Sequence, residues 1–221
     1  FVSTEEEFEK AIHYAQENSK GNQHILIEQF IEGSEYSVES LSFQGKHYVI
    51  QVTDKDCTGA PHFVEIGHHQ PANINKDLRK KIDSIIPQIL NAVGFTNGAT
   101  HIEIKICNND IYLIEINPRG GGDEISNSLV ELSTNIDYVS KIIEIALGTF
   151  QEPIVCNTKY AGIYSLCQQT QSYLDFFKNL ENKPWLIKKE ISSYKLNQAT
   201  GNYDRNGYFI YCADKKIILE D

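Results

Sequence analysis

The stretch HIEIKICNNDIYLIEINPRGGG, His101 to Gly122, decides how this chain is read. Two alternating runs, HIEIKIC and IYLIEIN, flank Asn108-Asn109-Asp110, which has the composition of a hairpin turn. With a three-residue loop, Glu103 faces Glu115 and His101 faces Asn117, all on one side of the antiparallel pair. Opposed side chains on such strands lie about 5 Å apart, so two carboxylates repel there unless a cation offsets their charge. Ile102, Ile104 and Ile106, with Tyr112, Ile114 and Ile116, are expected to form the apolar reverse face that anchors the hairpin to a core. The facing of Glu103 and Glu115 depends on loop parity. A two-residue turn would put Glu115 on the opposite face, and a solvated strand whose glutamates pair with Lys105 accounts for the same residues without a ligand.

Two carboxylates and an amide form an oxygen-only donor set, which suits a hard cation such as Mg²⁺ shared with substrate phosphates. Directly after the hairpin comes Asn117-Pro118-Arg119-Gly120-Gly121-Gly122-Asp123. Its glycines let backbone approach a ligand and offer N–H groups to an anion, and Arg119 supplies a guanidinium fork for a carboxylate or phosphate. A flexible loop with an exposed arginine is the plainer reading of the same residues.

Outward from this segment, Ser3 and Glu6 stand at capping-box spacing before a helical stripe of Phe8, Ile12 and Ala15 that runs up to Gly21. HILIEQF (His24 to Phe30), Glu35 to Phe43, and HYVIQV (His47 to Val52) read as strands of an antiparallel meander. Thr53 to Ile74 holds Gly, Pro, Asp and histidines without a sustained period and is expected to be a long ordered loop, a kind more often functional than idle. Leu78, Ile82, Ile85, Ile86, Ile89, Leu90 and Val93 share one helical face, with Gly94 as a stop. Another helix is expected from about Ile136 to Leu147. Beyond Phe150 the chain reads as short strands, KYAGIYSLC and GYFIYC being the clearest. A composition shift at Gln151 to Asn157 divides it into residues 1–150, which carry the candidate site, and a small β-rich subdomain, 151–221. The fold class is α+β, an antiparallel sheet packed with helices.

The bulk composition narrows the function. Thirty acidic against 20 basic residues give a net charge of -10, which repels nucleic acid and anionic membranes, so neither is an expected partner. No apolar run approaches the roughly 18 residues of a membrane span. Five scattered cysteines without CxxC spacing suggest neither a disulfide framework nor a zinc site, and a reducing cytoplasm is the expected location. The chain starts at Phe1 and holds no methionine, where about five are usual at this length. A fragment of a longer protein is the expectation.

HIEIKICNNDIYLIEINPRGGG resembles the metal-binding hairpin of ATP-grasp ligases, and ILIEQFIEGSEYSVES, Ile25 to Ser40, is similar to their adenosine-binding strand and loop. VTDK followed by FVEIGHHQPA points to the carboxylate–amine ligase and biotin-carboxylase-like branch. The likeness covers residues 1–148 well and the tail poorly. It implies the ATP-grasp fold and an ATP-dependent ligation of a carboxylate to an amine or other nucleophile through an acyl phosphate, with ATP and two Mg²⁺ ions, or Mn²⁺, as cofactors. Glu103, Glu115 and Asn117 match the metal ligands, and Arg119 the residue that holds substrate or acyl phosphate. His101, beside Glu103, is the candidate contact for the transferred phosphoryl group. Glu28 and the backbone of Gln29, Phe30 and Ile31 would face the adenine edge, and Glu35 the ribose hydroxyls. Lys55, His62, His68 and His69 are candidate substrate or phosphate contacts. The implied partners are small-molecule carboxylate and amine substrates; the resemblance leaves the oligomeric state open and allows a homodimer. The family's two triphosphate-gripping lysines and glycine-rich flap precede the helix seen here at Ser3 to Lys20, so this chain is expected to lack half of that grip. A non-catalytic relative that binds nucleotide or acts as a scaffold is the alternative.

Overall fold

The computed structural model describes residues 1–19 and 24–219. They fall into two compact units, Phe1–Glu32 and Gly33–Asp221. In the first, helix α1 spans Glu5–Asn18. Its N-cap is Thr4, and Thr4 with Glu7 forms the capping box expected of Ser3 with Glu6. Ser3 instead donates its backbone N–H and its hydroxyl to the Glu7 carboxylate, so the box is set one residue later. The expected helix end at Gly21 lies outside the described residues. His24 to Phe30, expected as a strand, joins no ladder and leaves Leu26 81 % and Ile27 62 % exposed. Alternation alone does not make a strand without a partner edge.

The second unit is built on one eight-stranded antiparallel sheet. Its strands are β1 (Ser34–Phe43), β2 (Lys46–Cys57), β3 (Glu65–Gln70), β4 (Gly98–Cys107), β5 (Asp110–Asn117), β6 (Tyr160–Leu166), β7 (Leu186–Ile191) and β8 (Gly207–Ala213). They lie in the order β5-β4-β1-β2-β3-β6-β8-β7. The long loop expected from Thr53 to Ile74 is in fact mostly strand: β2 runs on to Cys57, β3 starts at Glu65, and the connection between them is short. β-propensity was hidden there because the residues facing inward are polar. The stretch 151–221, expected as a separate subdomain, supplies β6, β8 and β7, which continue the same sheet through the β3–β6 pairing.

One face of the sheet packs on helix α2, Lys76–Ala92, whose buried Leu78, Ile82, Ile86 and Leu90 meet Val38, Val52, Ile102 and Ile104. Burying side chains of this size contributes roughly 1.5–3 kcal/mol each. Asn75 caps the helix by accepting from the N–H groups of Asp77 and Leu78, and Gly94, at φ +70, ends it. On the opposite face, Leu41, Ile50, Ala161 and Ile210 pack against Leu129 and Val130, and against Tyr138 and Ile145 of helix α4, Tyr138–Leu147. A one-turn π-helix, Ile125–Leu129, and helix α3, Val130–Thr134, lead into α4; the sequence reading expected neither. These helices cover only part of this second face. The remainder is polar, and the candidate residues are on it. No helix among the described residues is long and apolar enough to cross a membrane.

Candidate functional site

The hairpin at the centre of the sequence reading reaches the expected pairing by a different route. The turn is the two residues Asn108 and Asn109, both at positive φ (51° and 67°), so β4 and β5 leave it one residue out of the expected alignment, with Cys107 opposite Asp110. A β-bulge between Glu103 and Ile104 then absorbs one extra residue of β5. Beyond it Glu103 pairs with Glu115 and His101 with Asn117. The expected three-residue loop is therefore wrong, and the bulge restores the parity that the shorter turn would have lost. The reverse face changes accordingly: Ile111, paired with Ile106, and Ile116 pack on the α2 core, whereas Tyr112 and Ile114 stay 39 % exposed.

Period-two alternation collects the other polar groups. Ser37 pairs with Thr53 and with Glu103, Glu39 with His101, and Lys55 with His68. Glu35, Glu39, Lys55, His68, His101 and Glu103 thus belong to the face that α2 does not cover. Glu39 is fully buried, and its carboxylate accepts from the Gly121 N–H at 3.1 Å and the Ser126 hydroxyl at 3.4 Å while holding His101 Nδ1. His101 Nε2 reaches Glu103 Oε1 at 3.4 Å. Burial pulls the imidazole pKa down, but the hydrogen bonds His101 donates to Glu103 and Glu39 outweigh it and raise it to about 9, so His101 is a cation at neutral pH. The same contact with His101, aided by Lys55 against the cost of burial, lowers Glu103 to about 2.

Lys55, expected in a loop, sits on β2 with its side chain 3 % exposed. Its Nζ lies 2.7 Å from Glu35, 2.8 Å from Glu65 and 3.0 Å from Glu103. Glu35, the expected ribose ligand, is therefore engaged by an ammonium. Beyond Glu65 the charged chain continues: His68 Nε2 lies 3.4 Å from Asp123, and Arg205 forks onto both Asp123 oxygens at 2.7 Å. Although burial raises the Asp123 pKa, the hydrogen bonds from His68 and Arg205 hold it far below the usual carboxylate range. Asp123 and Arg205 also line a cavity of about 340 Å³ with Glu124, Asn127, Ser165, Asn202 and Tyr208.

Three further expectations are resolved by position. His62 is exposed, whereas His68 and His69 are buried. His69 belongs to the other face, between Asp56 at 3.0 Å and the Tyr211 hydroxyl at 3.1 Å, and burial depresses its pKa. It is a structural residue of the sheet. The glycine run does not cradle an external anion along its whole length: a Cβ on Gly121 would meet Glu39 Oε1 and His101 Nδ1 at 2.7 Å, so its N–H serves the buried Glu39 carboxylate, while only Gly122 faces open space. Arg119 is exposed and donates to the Gly120 carbonyl at 2.9 Å. Glu28, Gln29, Phe30 and Ile31 belong to the N-terminal unit, where Phe30 packs edge-on against Phe1 at 4.6 Å. The sequence reading missed Glu39, Asp123 and Arg205. Glu39 was legible, since it shares the parity of Glu35 and Ser37 in one strand; Arg205 carried no signal of its own.

A divalent cation has a chemically suitable donor set here. Glu103, Glu115 and Asn117 offer oxygens on one face and Glu115 is exposed, while the buried Asn117 Nδ2, a donor with no hydrogen-bond partner among the described residues, is left to meet an acceptor such as a phosphate oxygen. Glu65, His68 and Asp123 also bring ligand atoms within 4.8 Å of one another, but Glu65 is held by Lys55 and Asn202 and Asp123 by Arg205. Glu103 is held too, by Lys55 and His101, but the first set offers oxygen donors alone where the second includes an imidazole, and that fits a hard cation better.

Comparison with known proteins bears on this arrangement. A family model described as the ATP-grasp domain matches residues 1–128. An uncharacterised protein of Sinorhizobium fredii is 25 % identical over 198 residues, covering 87 % of this chain and 40 % of that protein. Human carnosine synthase 1 is 28 % identical over 128 residues, covering 58 % of this chain and 15 % of its own length. The solved L-amino acid ligase of Bacillus licheniformis superposes with a TM-score of 0.76 at 22 % identity, over 97 % of this chain and 55 % of that one. The chain thus spans roughly half or less of each of these proteins.

Proposed function

Because this chain belongs to the ATP-grasp family and has its α+β fold, we propose that it is the nucleotide- and metal-binding part of an ATP-dependent carboxylate–amine ligase. The observation that carries the reading is the bulge-corrected register that faces Glu103 with Glu115 and His101 with Asn117 on the polar side of the sheet. The reaction is phosphoryl transfer from ATP to a substrate carboxylate, and attack by an amine on the resulting acyl phosphate then releases phosphate.

Glu103, Glu115 and Asn117 would hold Mg²⁺, for which Mn²⁺ can substitute, in one or two ions. Bound there with ATP, the metal supplies charge neutralisation at the phosphates. The chain's own residues do the rest. His101, held through both ring nitrogens by Glu39 and Glu103, places its positive charge beside the transferred phosphoryl group, and its Nε2–H reaches that group where Glu103 turns to the metal. Arg119, exposed beside the metal ligands, can fork onto the carboxylate that is activated. The 340 Å³ cavity carries Arg205 with Asp123 and Glu124, and this mix of a guanidinium with carboxylates supports a small substrate bearing both amino and carboxyl groups. The similar L-amino acid ligase of Bacillus licheniformis is named for a substrate of that class.

Calorimetry of ATP binding to the full chain, with and without Mg²⁺, tests the proposal. Binding that requires Mg²⁺ and disappears in the Glu103→Ala/Glu115→Ala double variant is the expected result. An intact chain that binds no Mg-ATP would instead make this a non-catalytic scaffold.

A further inference from the structure

Lys55 presents an arrangement that the proposed reaction does not call for. A lysine with its side chain 3 % exposed touches carboxylates from β1, β3 and β4 at 2.7, 2.8 and 3.0 Å. It takes Glu103 Oε2, and His101 takes Glu103 Oε1. Both oxygens of an expected metal ligand are therefore already held by protein cations. A metal approaching Glu103 competes with both of them for the carboxylate, and its like charge favours displacing one. His101 is fixed from behind by Glu39 on a buried strand position. Lys55 is the movable one: it has a flexible stem and two other carboxylates, Glu35 and Glu65, to retain.

Charge points the same way. Three carboxylates, Glu35, Glu65 and Glu103, are faced by the single ammonium of Lys55, so this half-buried group keeps an excess of two negative charges. That excess matches a divalent ion, and a lysine tied to three carboxylates is otherwise more anion than one ammonium needs.

We propose that Lys55 is an internal counter-ion of the candidate cation site, holding Glu103 while no divalent metal is bound and releasing it to the metal when one binds. The proposal rests on the reading of Glu103, Glu115 and Asn117 as the metal ligands. It makes Lys55 a positioning residue that keeps the acidic cluster assembled in the metal-free protein and sets a threshold on metal binding without nucleotide.

The test uses the full chain and Mn²⁺ alone, followed by the spin-resonance signal of the free ion, with thermal melts in chelator and in saturating Mn²⁺. Lys55→Met is expected to bind Mn²⁺ at least tenfold more tightly than wild type, to melt lower than wild type in chelator, and to recover when Mn²⁺ is added. The Lys55→Met/Glu103→Gln variant should show neither the gain nor the recovery. Lys55→Arg, which keeps the charge and forks more firmly onto carboxylates, should bind Mn²⁺ more weakly, and it carries the test if Lys55→Met does not fold. Unchanged Mn²⁺ affinity in both Lys55 variants, or a Lys55→Met melt that ignores the metal, overturns the proposal. A wild-type control with Mn-ATP separates the two readings: if wild type binds Mn-ATP while the Lys55 variants leave Mn²⁺ affinity unchanged, only the counter-ion role fails, and if wild type binds no Mn-ATP, the ligase reading fails first.

Discussion

At the scale of single residues, the site is a set of charges whose partners are already in place. Glu115 is the exception, exposed at the edge of the hairpin. Glu115→Gln should therefore weaken Mg-ATP binding in calorimetry while leaving the nucleotide-free melting temperature within a degree or two of wild type. Gly121→Ala should behave in the opposite way, because its Cβ would press on Glu39 and His101; urea denaturation should show a loss of about 1–3 kcal/mol, whereas Gly122→Ala, which meets nothing within 4 Å, should be close to neutral. The titrations have definite signs. Glu103 is lowered to about 2, so its contribution to stability is complete above the usual glutamate pKa and is lost as pH falls toward 2. His101 is raised to about 9, so its contribution is complete below the usual histidine pKa and fades as pH rises through 9. In chelator, His101→Gln should flatten the alkaline limb of the stability–pH curve and also reduce the Glu103 part of the acid limb, leaving the part that Asp123 shapes. Alternation made Glu103, Glu115, His101 and Asn117 readable in advance. Asp123 and Arg205 were not, because an ion pair between residues far apart in sequence leaves no local trace.

At the scale of elements, the β4–β5 hairpin shows how a correct outcome can rest on two compensating features. Sequence composition located the turn but not its length, and nothing in the alternation announced the bulge, since inserting one residue opposite Glu103 and Ile104 costs no apolar contact on an exposed edge strand. Asn108-Asn109 adopts left-handed backbone at both positions, where glycine is favoured at the second. Asn109→Gly should raise stability by a few tenths to about 1 kcal/mol in a denaturant melt. Helix α2 was readable because its apolar positions recur at helical spacing; Ile86→Ala, at a fully buried position, should cost about 2–5 kcal/mol. β3 escaped detection for the converse reason. Glu65, His68 and Gln70 face a polar site rather than a core, so the strand lacks the apolar face by which strands are recognised.

At the scale of the Gly33–Asp221 unit, the sheet is continuous, and β3 is bonded on one side to β2 and on the other to β6. Native-state hydrogen exchange should find the amides of β3, β6 and β8 opening together with those of β1 and β2; two protection classes divided near residue 150 would instead show an independent C-terminal subdomain. The composition shift near Gln151 was a poor guide here because it marks a connection between strands and not a gap between cores. The β3–β6 pairing also has a consequence for synthesis. β3 ends at Gln70 and its partner begins at Tyr160, so at translation speeds of 5–20 residues per second the outer edge of β3 waits roughly 5–20 s for the strand that covers it. During that interval the nascent chain displays an unpaired edge with polar, charged side chains along it, and those charges discourage a neighbouring chain from adding itself in place of β6.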